Sequence, residues 1–165
     1  MNKISNKKIY GVVICYNSES TIKDLYERID KELFDKIYFF DDNSTDNSYE
    51  IAKKFDWQAA KNQTNLGHGG NLKKAIQSAF SDGADYVLEI HADNQYDPNL
   101  ISKAKNFIDQ DYALIIGSRF VNKNPYKDEE MPFLRYFSNK IMSSLTSKLL
   151  SINLTEFHTG FKIFG

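Results

Sequence analysis

Short apolar runs alternate along the chain with segments in which apolar residues recur every three or four positions. The runs at residues 9–15, 36–41 and 84–91 are continuous and rich in β-branched or aromatic side chains, as is typical of strands buried on both faces. A weaker run at 57–60 and a run at 112–117 predict two further strands, and the last residues of the sequence have the pattern of another. Strands that alternate with helices predict an α/β fold, with a mostly parallel, Rossmann-like sheet flanked by helices.

Helices are predicted between the strands, and most have a candidate residue to begin them. A glycine-rich loop at residues 67–70 is expected before the third helix, with His68 in that loop. Near the C-terminus, the spacing predicts an amphipathic helix over Phe133–Leu150. Its apolar stripe consists of Phe137, Ile141, Leu145 and Leu149. The candidate N-caps are Ser18 or Ser20, Ser44 or Asp46, and Asp97 followed by Pro98.

Composition limits what this protein can be. The 165 residues predict a single domain over 1–165, and we expect it to be truncated at its C-terminus because the sequence ends inside a predicted strand. The single cysteine, Cys15, excludes a disulfide framework, and a net charge of −1 argues against a nucleic-acid-binding protein. No apolar stretch is long enough for a signal peptide or a membrane span, so we expect a cytoplasmic location.

Polar side chains gather where three of the predicted strands end. Ligands of open α/β sheets bind outside the carboxyl ends of the strands, so these residues are candidates for a binding site. Asp93 is available for such a role, because Asp97 already caps the helix that follows. The strand-end residues are Cys15, Tyr16 and Asn17 after the first strand, Asp41 and Asp42 after the second, and His91, Ala92, Asp93, Asn94 and Gln95 after the fourth.

The carboxylate and two carboxamides at residues 93–95 form an all-oxygen set that suits Mg²⁺ or Mn²⁺. Such ions usually bind phosphate oxygens as well, which favours a metal-bridged nucleotide. The sequence lacks the glycine-rich motif of P-loop enzymes. The first strand-to-helix turn contains no glycine, which argues against a dinucleotide-binding site.

Six segments carry a family resemblance. They are ICYNSEST (14–21), FFDDNSTDNS (39–48), NLGHGG (65–70), LEIHADNQYDP (88–98), IIGSRF (115–120) and EFHTGFKIF (156–164). Together they resemble the successive motifs of family 2 glycosyltransferases, with a pattern similar to polyprenyl- or dolichyl-phosphate sugar synthases. The resemblance implies a GT-A fold and a metal-dependent, inverting hexosyl transfer from a UDP- or GDP-type nucleotide sugar. It also implies a lipid-phosphate or glycan acceptor, a role in cell-envelope polysaccharide synthesis and contact with the inner face of a membrane.

The same resemblance implies roles for single residues. Asp93 matches the metal-holding last acid of the family's D-x-D motif, and Gln95 matches a glutamine that often follows it, here taken as a second metal ligand. Arg119 matches the arginine of the G-S-R motif, Glu156 an acid near the acceptor, and Arg135 a base that meets the acceptor phosphate. The resemblance thus implies that Asp93, Arg119 and Glu156 are the catalytic residues. The residues assigned to donor binding are Cys15, Tyr16, Asn17, Asp41, Asp42, Gly67, Gly69, His91 and Ala92.

Three features leave alternatives open. His91 stands where the D-x-D motif has its first acid, so the chain is either an active variant or a non-catalytic module that binds a nucleotide sugar. For a hydroxyl acceptor Glu156 is the candidate general base, whereas an ionised lipid phosphate needs little base. Residues 135–165 carry a net charge of +3, so the helix Phe133–Leu150 either packs its stripe on the sheet or lies near an anionic membrane surface.

Overall fold

The computed structural model describes residues 6–121, 132–152, 154–157 and 159–165, without the side chain of Arg135. The strands are β1 Ile9–Cys15, β2 Lys36–Asp41, β3 Gln58–Lys61, β4 Tyr86–His91, β5 Leu114–Ile116 and β6 Lys162–Phe164. The α-helices are α1 Ile22–Arg28, α2 Ser48–Ala52, α3 Gly67–Ser81, α4 Lys105–Ile108 and α5 Phe133–Leu150, with 3₁₀ helices at Lys31–Leu33 and Pro98–Ala104.

One sheet organises the fold, with the strand order β3-β2-β1-β4-β6-β5. β1 pairs in parallel with β2 and β4, and β2 pairs in parallel with β3, while β6 is antiparallel to β4. The carboxyl ends of β1, β2 and β4 lie side by side, because Ile14 is opposite both Phe40 and His91. The predicted mostly parallel α/β sheet is thereby confirmed, and three strand-end turns meet at one edge.

The core lies on both faces of the central strands. All seven residues of β1 are buried, which explains its unbroken apolar run. Successive side chains of a strand point to opposite faces. Val12 packs with Ala75 of α3, whereas a side chain at the neighbouring Gly11 would meet Phe34 and Ile90. Each fully buried valine or isoleucine in such a layer contributes roughly 1.5–3 kcal/mol by leaving water.

Two of the helices begin at residues other than those predicted. The N-cap of α1 is Thr21 and that of α2 is Asn47, neither with a side-chain capping bond. Ser18, Ser20 and Ser44 are therefore not N-caps, and Ser44 bonds to the loop after β1. Asp46 precedes the N-cap position by one residue, yet its carboxylate accepts the N–H of Ser48, the first residue of α2, as well as that of Glu19. Asp97 is an N-cap as predicted, and its carboxylate accepts a backbone N–H, but the helix that it begins is 3₁₀.

The predicted glycine-rich loop is the first turn of α3, which begins at Gly67. Gly67 has a φ of 72°, a left-handed conformation that glycine adopts without strain. His68 therefore lies on a helix, and its position is fixed by the packing of α3 on the sheet.

The described residues divide into two compact units. The first runs to Ile115 and includes Ile163–Gly165, and the second is Ile116–Lys162. The single domain expected over 1–165 stays a prediction. In the described part of the chain, no helix combines the length and the apolar character that crossing a membrane requires.

Candidate functional site

A cavity of about 540 Å³ opens in the first unit where β1, β2 and β4 end. Its position follows from the topology, since parallel strands present their carboxyl ends at the same edge. The predicted site residues that line it are Cys15, Tyr16, Asn17, Asp42, Gly67, His91, Ala92 and Asp93. Asp41, Gly69 and Gln95 are not among its lining residues. Asn65, His68 and Asn71 also line the cavity and were not predicted to do so.

Each of the three strand-end turns contains an asparagine with a positive φ. Asn17, Asn43 and Asn94 have φ values between 52° and 62°, a region that asparagine tolerates better than most residues. Asn17 then joins two turns: its N–H donates to Ser44 Oγ, and its Oδ1 accepts from the N–H of Thr45, both at 2.9 Å. The cavity wall is therefore held by bonds between turns.

A second set of bonds joins the same two turns. Asp46 accepts from the N–H groups of Ser48 at 3.0 Å and Glu19 at 3.1 Å, and the Glu19 carboxylate accepts from the N–H of Asn47 at 2.7 Å. Burial acts to raise the pKa of Asp46, but the hydrogen bonds from Ser48 and Glu19 outweigh it and lower this pKa below its usual value. Asp46 therefore links the turn after β2 to the loop after β1 through hydrogen bonds.

Asp42 is buried at the cavity wall and is part of a polar network. Its Oδ1 accepts from the N–H of Leu66 at 2.8 Å and from Asn62 Nδ2 at 2.9 Å. Asn62 also donates to Asn71 Oδ1, and Asn71 donates to the carbonyl of Phe40. The network fixes the carboxylate of Asp42 before any ligand arrives.

Asp41 is fully buried beneath the turn that follows β2. Its Oδ2 accepts from the N–H of Ser44 at 2.9 Å and lies 3.8 Å from Lys61 Nζ, which donates to the carbonyl of Ser44. Asp41 thus supports the turn after β2, whereas its neighbour Asp42 lines the cavity.

Asp93 is exposed and lines the cavity just beyond β4. Its Oδ1 accepts from the N–H of Gln95 at 3.1 Å, and the adjacent Ala92 carbonyl accepts from Thr21 Oγ1 at 2.6 Å. Gln95 is exposed as well. An exposed carboxylate beside an open cavity fits a hard divalent cation, which keeps several waters and also binds ligand phosphates.

The two histidines that line the cavity, His68 and His91, both contact a buried glutamate, Glu89. Oε1 of Glu89 lies 3.1 Å from Nε2 of His91 and 3.3 Å from Nε2 of His68. The two imidazole rings stack with their centroids 5.4 Å apart. Glu89 was not among the predicted site residues, although an acid inside an otherwise apolar strand is a signal of a special role.

Cys15 and Tyr16 present contrasting side chains to the cavity. Cys15 is buried, and burial raises the pKa of its thiol. A thiol with a raised pKa is a poor nucleophile near neutral pH. Tyr16 is 51 % exposed and offers an aromatic surface at the cavity mouth.

The second unit contains a buried ion pair. Glu156 is 1 % exposed and accepts from the Arg119 N–H at 2.8 Å, from Arg119 Nε at 3.1 Å and from its Nη2. Beside them, Thr155 Oγ1 donates to Ser118 Oγ at 2.7 Å. The structure therefore makes the predicted catalytic residues Arg119 and Glu156 partners of each other. The side chain of Arg135, predicted to meet the acceptor phosphate, lies outside the described part.

A family model described as glycosyl transferase family 2 matches residues 11–164. The chain belongs to glycosyltransferase family 2. The predicted family, the GT-A fold and the transferase class are thereby confirmed. The match spans the cavity of the first unit and the ion pair of the second, so both belong to one family pattern.

Two archaeal relatives add detail. The chain is 28 % identical to the UDP-N-acetylglucosamine–dolichyl-phosphate N-acetylglucosaminyltransferase of Methanococcus voltae, with 98 % of this chain and 71 % of that protein covered. It is 27 % identical to the dolichol-phosphate mannosyltransferase of Pyrococcus furiosus, with 81 % and 38 % covered. Both relatives carry a dolichyl-type phosphate in their names, which agrees with the predicted polyprenyl-phosphate branch.

Among solved structures, the chain resembles glucosyl-3-phosphoglycerate synthase from Mycobacterium tuberculosis, determined with Mn²⁺, UDP and glucosyl-3-phosphoglycerate. The TM-score is 0.66 at 17 % identity, and the match covers 97 % of this chain and 57 % of that one. At this identity the likeness supports the GT-A fold alone. The chain thus spans little more than half of that synthase.

Proposed function

We propose that this glycosyltransferase moves a sugar from a UDP- or GDP-type nucleotide sugar to a lipid-linked phosphate, with inversion at the anomeric carbon, and that residues 1–165 act as one catalytic domain. The observation that carries the proposal is the cavity at the carboxyl ends of β1, β2 and β4, which has both Asp42 and Asp93 on its lining. Such an edge is where open α/β sheets bind nucleotides.

The nucleoside part of the donor is assigned to the side of the cavity formed by Tyr16, Asn17 and Asp42. Asp42 uses Oδ1 for Leu66 and Asn62, and no described residue donates to its Oδ2. That oxygen suits an N–H of a base such as uracil or guanine, because an ionised carboxylate only accepts hydrogen bonds. The prior fixation of Asp42 reduces the ordering cost of binding.

The diphosphate of the donor is assigned to the part of the cavity near Asp93. Asp93, assisted by Gln95, is the proposed ligand of Mg²⁺ or Mn²⁺. The ion supplies neutralising charge to the nucleoside diphosphate, where negative charge grows as the sugar bond breaks. His91 lines the same cavity and is able to donate a hydrogen bond to a phosphate oxygen.

The ion pair of the second unit bears on the acceptor. The buried carboxylate of Glu156 accepts three hydrogen bonds from Arg119, so it is engaged in orienting that guanidinium. A carboxylate used in this way is poorly placed as a general base for a hydroxyl acceptor. A lipid phosphate is already ionised and needs orientation by cations more than a base. This favours a phosphate acceptor, as do the dolichyl phosphates in the relatives' names.

Helix α5 supports contact of the enzyme with a membrane surface. Its predicted apolar stripe is exposed, with side-chain exposures from 42 % at Ile141 to 84 % at Leu149. Lys140 and Lys148 lie on the same helix, and residues 135–165 carry a net charge of +3. An apolar surface flanked by bases is typical of helices that lie on anionic bilayers, and it supports the proposed location at the cytoplasmic face of a membrane.

A thermal-shift panel of UDP-, GDP-, CDP- and dTDP-sugars, each with and without Mn²⁺, tests the donor proposal. A donor at 100 times its Kd stabilises the folded protein by about 2.7 kcal/mol, which raises the melting midpoint. We expect a metal-dependent rise for one class of base, and its loss in Asp93→Ala. Asp24→Ala, which removes an exposed acid of α1, is the matched control and should keep the rise.

Transfer is measured separately, as release of nucleoside diphosphate on addition of a polyprenyl phosphate. Binding without any release would support the alternative of a non-catalytic nucleotide-sugar module. No stabilisation by any donor, or the same metal-dependent rise in Asp93→Ala, would overturn the proposed site.

A further inference from the structure

The first unit contains a second group of potential metal ligands, in which two imidazoles, softer ligands than a carboxylate, join one carboxylate. His68, Glu89 and His91, named here the His–Glu–His cluster, each offer one ligand atom, and these atoms lie within 4.8 Å of one another. Glu89 and His91 are two positions apart on β4, so both side chains project to the same face of the sheet. His68 reaches them from the first turn of α3. Two rigid elements therefore hold the cluster.

The two distances from Glu89 to the histidines are close to those between neighbouring ligands of one ion. Glu89 Oε1 is 3.1 Å from His91 Nε2 and 3.3 Å from His68 Nε2. Zinc binds imidazole nitrogen and carboxylate oxygen at about 2.0–2.2 Å, so neighbouring ligands of a tetrahedral ion lie about 3.3–3.5 Å apart. His91 Nε2 is buried and, within the described part of the chain, its contact with Glu89 does not have hydrogen-bond geometry. In the tautomer that carries its proton on Nδ1, His91 offers the Nε2 lone pair to a cation.

The negative charge of Glu89 favours a cation at the His–Glu–His cluster. The side chain of Glu89 is fully buried, and a buried carboxylate is stabilised when a positive charge lies next to it. A divalent cation held by Glu89 and two neutral imidazoles supplies that charge. His68 is 58 % exposed on its side chain and both histidines line the cavity, so an ion held by them would be accessible to solvent and to a ligand in the cavity.

We propose that the His–Glu–His cluster binds a divalent first-row transition ion of the Zn²⁺ class. Two imidazoles and one carboxylate are the ligand set of catalytic zinc sites that keep one position open, and imidazole disfavours Mg²⁺. The site is separate from the oxygen ligands assigned to Mg²⁺ or Mn²⁺ at Asp93. It does not rest on the proposed donor or acceptor, because it is built from three protein side chains alone.

The test is direct titration of Zn²⁺ against a chromophoric chelator, with protein that carries no polyhistidine tag. We expect one Zn²⁺ per chain and no competition by millimolar Mg²⁺. His68→Ala and Glu89→Gln are each expected to weaken Zn²⁺ binding at least about 100-fold, since each removes a ligand. His68 is exposed on the surface of α3, so its variant keeps the proposal testable if the buried Glu89→Gln fails to fold.

Two controls and one spectroscopic readout complete the test. Glu50→Gln alters an exposed glutamate that pairs with Lys53, and it should leave Zn²⁺ affinity unchanged. In spectra of the imidazole nitrogens, Zn²⁺ should shift the resonances of His68 and His91. The proposal is overturned if Zn²⁺ does not bind, if His68→Ala binds it as tightly as the wild type, or if Asp93→Asn weakens binding as much as His68→Ala. None of these outcomes alters the donor test with Mn²⁺.

Discussion

The two units of the chain place their carboxylates in different surroundings. In the first unit, Asp42 lies on a cavity wall, and the donors that it meets among the described residues are neutral, a backbone N–H and an asparagine side chain. In the second, Glu156 is buried against the guanidinium of Arg119. The first arrangement leaves acceptor capacity for a ligand, whereas the second uses the carboxylate to orient a cation. Two acids in one family pattern therefore have different tasks.

Apolar surface differs between the units as well. Every residue of β1 is buried, so the first unit hides its apolar run. The stripe of α5 in the second unit is exposed. A helical period in the sequence predicts that apolar residues share a face, but it does not say what covers that face. Here the first unit buries its apolar run beside a cavity lined by polar side chains, and the second presents an apolar surface.

The largest expected effect comes from breaking the ion pair of the second unit. Arg119→Met leaves the buried Glu156 without its guanidinium partner, and we expect the free energy of unfolding to fall by about 3 kcal/mol. Replacing both partners, in Arg119→Met/Glu156→Leu, should restore most of that loss because no buried charge remains. Urea denaturation at neutral pH measures both.

Lys53→Met is the matched control for this comparison, since it breaks an exposed pair with Glu50 and should cost below about 0.5 kcal/mol. If Arg119→Met lowers the free energy of unfolding no more than Lys53→Met does, the Arg119–Glu156 pair does not stabilise the protein measurably. If the double variant is as unstable as the single one, the loss comes from packing of the arginine stem and not from charge.

A smaller effect is expected at the cavity of the first unit. Asp42→Asn keeps Oδ1 for Leu66 and Asn62 but replaces Oδ2 with an amide that donates. Binding of a donor whose base presents an N–H should weaken by about 1–3 kcal/mol, or roughly 5- to 150-fold. Calorimetric titration with uridine, guanosine and cytidine diphosphates measures the change. Unchanged affinities for all three would remove Asp42 from the base site.

The bounds of buried strands were predicted more accurately than those of exposed strands. The predicted bounds of β1 and β2 agree with the structure, because both are central strands with buried apolar runs ended by polar turns. β3 and β5 form the two edges of the sheet, and their predicted bounds were displaced or too long. Edge strands bury less side-chain surface, so their patterns are weaker.

The candidate site was predictable where its residues are consecutive. Strand-end motifs identified Asp42 and Asp93, which both line the cavity. Two contacts of the site join residues about twenty positions apart: Asn62 with Asp42, and His68 with Glu89. Local sequence patterns do not predict contacts of this kind. The parallel pairing of β2 with β3 brings Asn62 to Asp42, and the packing of α3 on the sheet brings His68 to Glu89. Both depend on the whole fold.

The smallest expected effect concerns the exposed surface of α5. If this helix meets anionic lipid, each base near the surface contributes about 1 kcal/mol, so binding should be weak and should decline with salt. Co-sedimentation with anionic vesicles at low salt measures the bound fraction, and neutral vesicles should bind less. Arg135→Ala/Lys140→Ala should lower that fraction, whereas Lys36→Ala/Lys53→Ala, which removes two bases of the first unit, should not. If anionic and neutral vesicles bind the same fraction, or if the two double variants bind equally, then the charge of the membrane does not determine the binding of α5. The lipid-phosphate acceptor would then depend on the Arg119–Glu156 pair and the relatives alone.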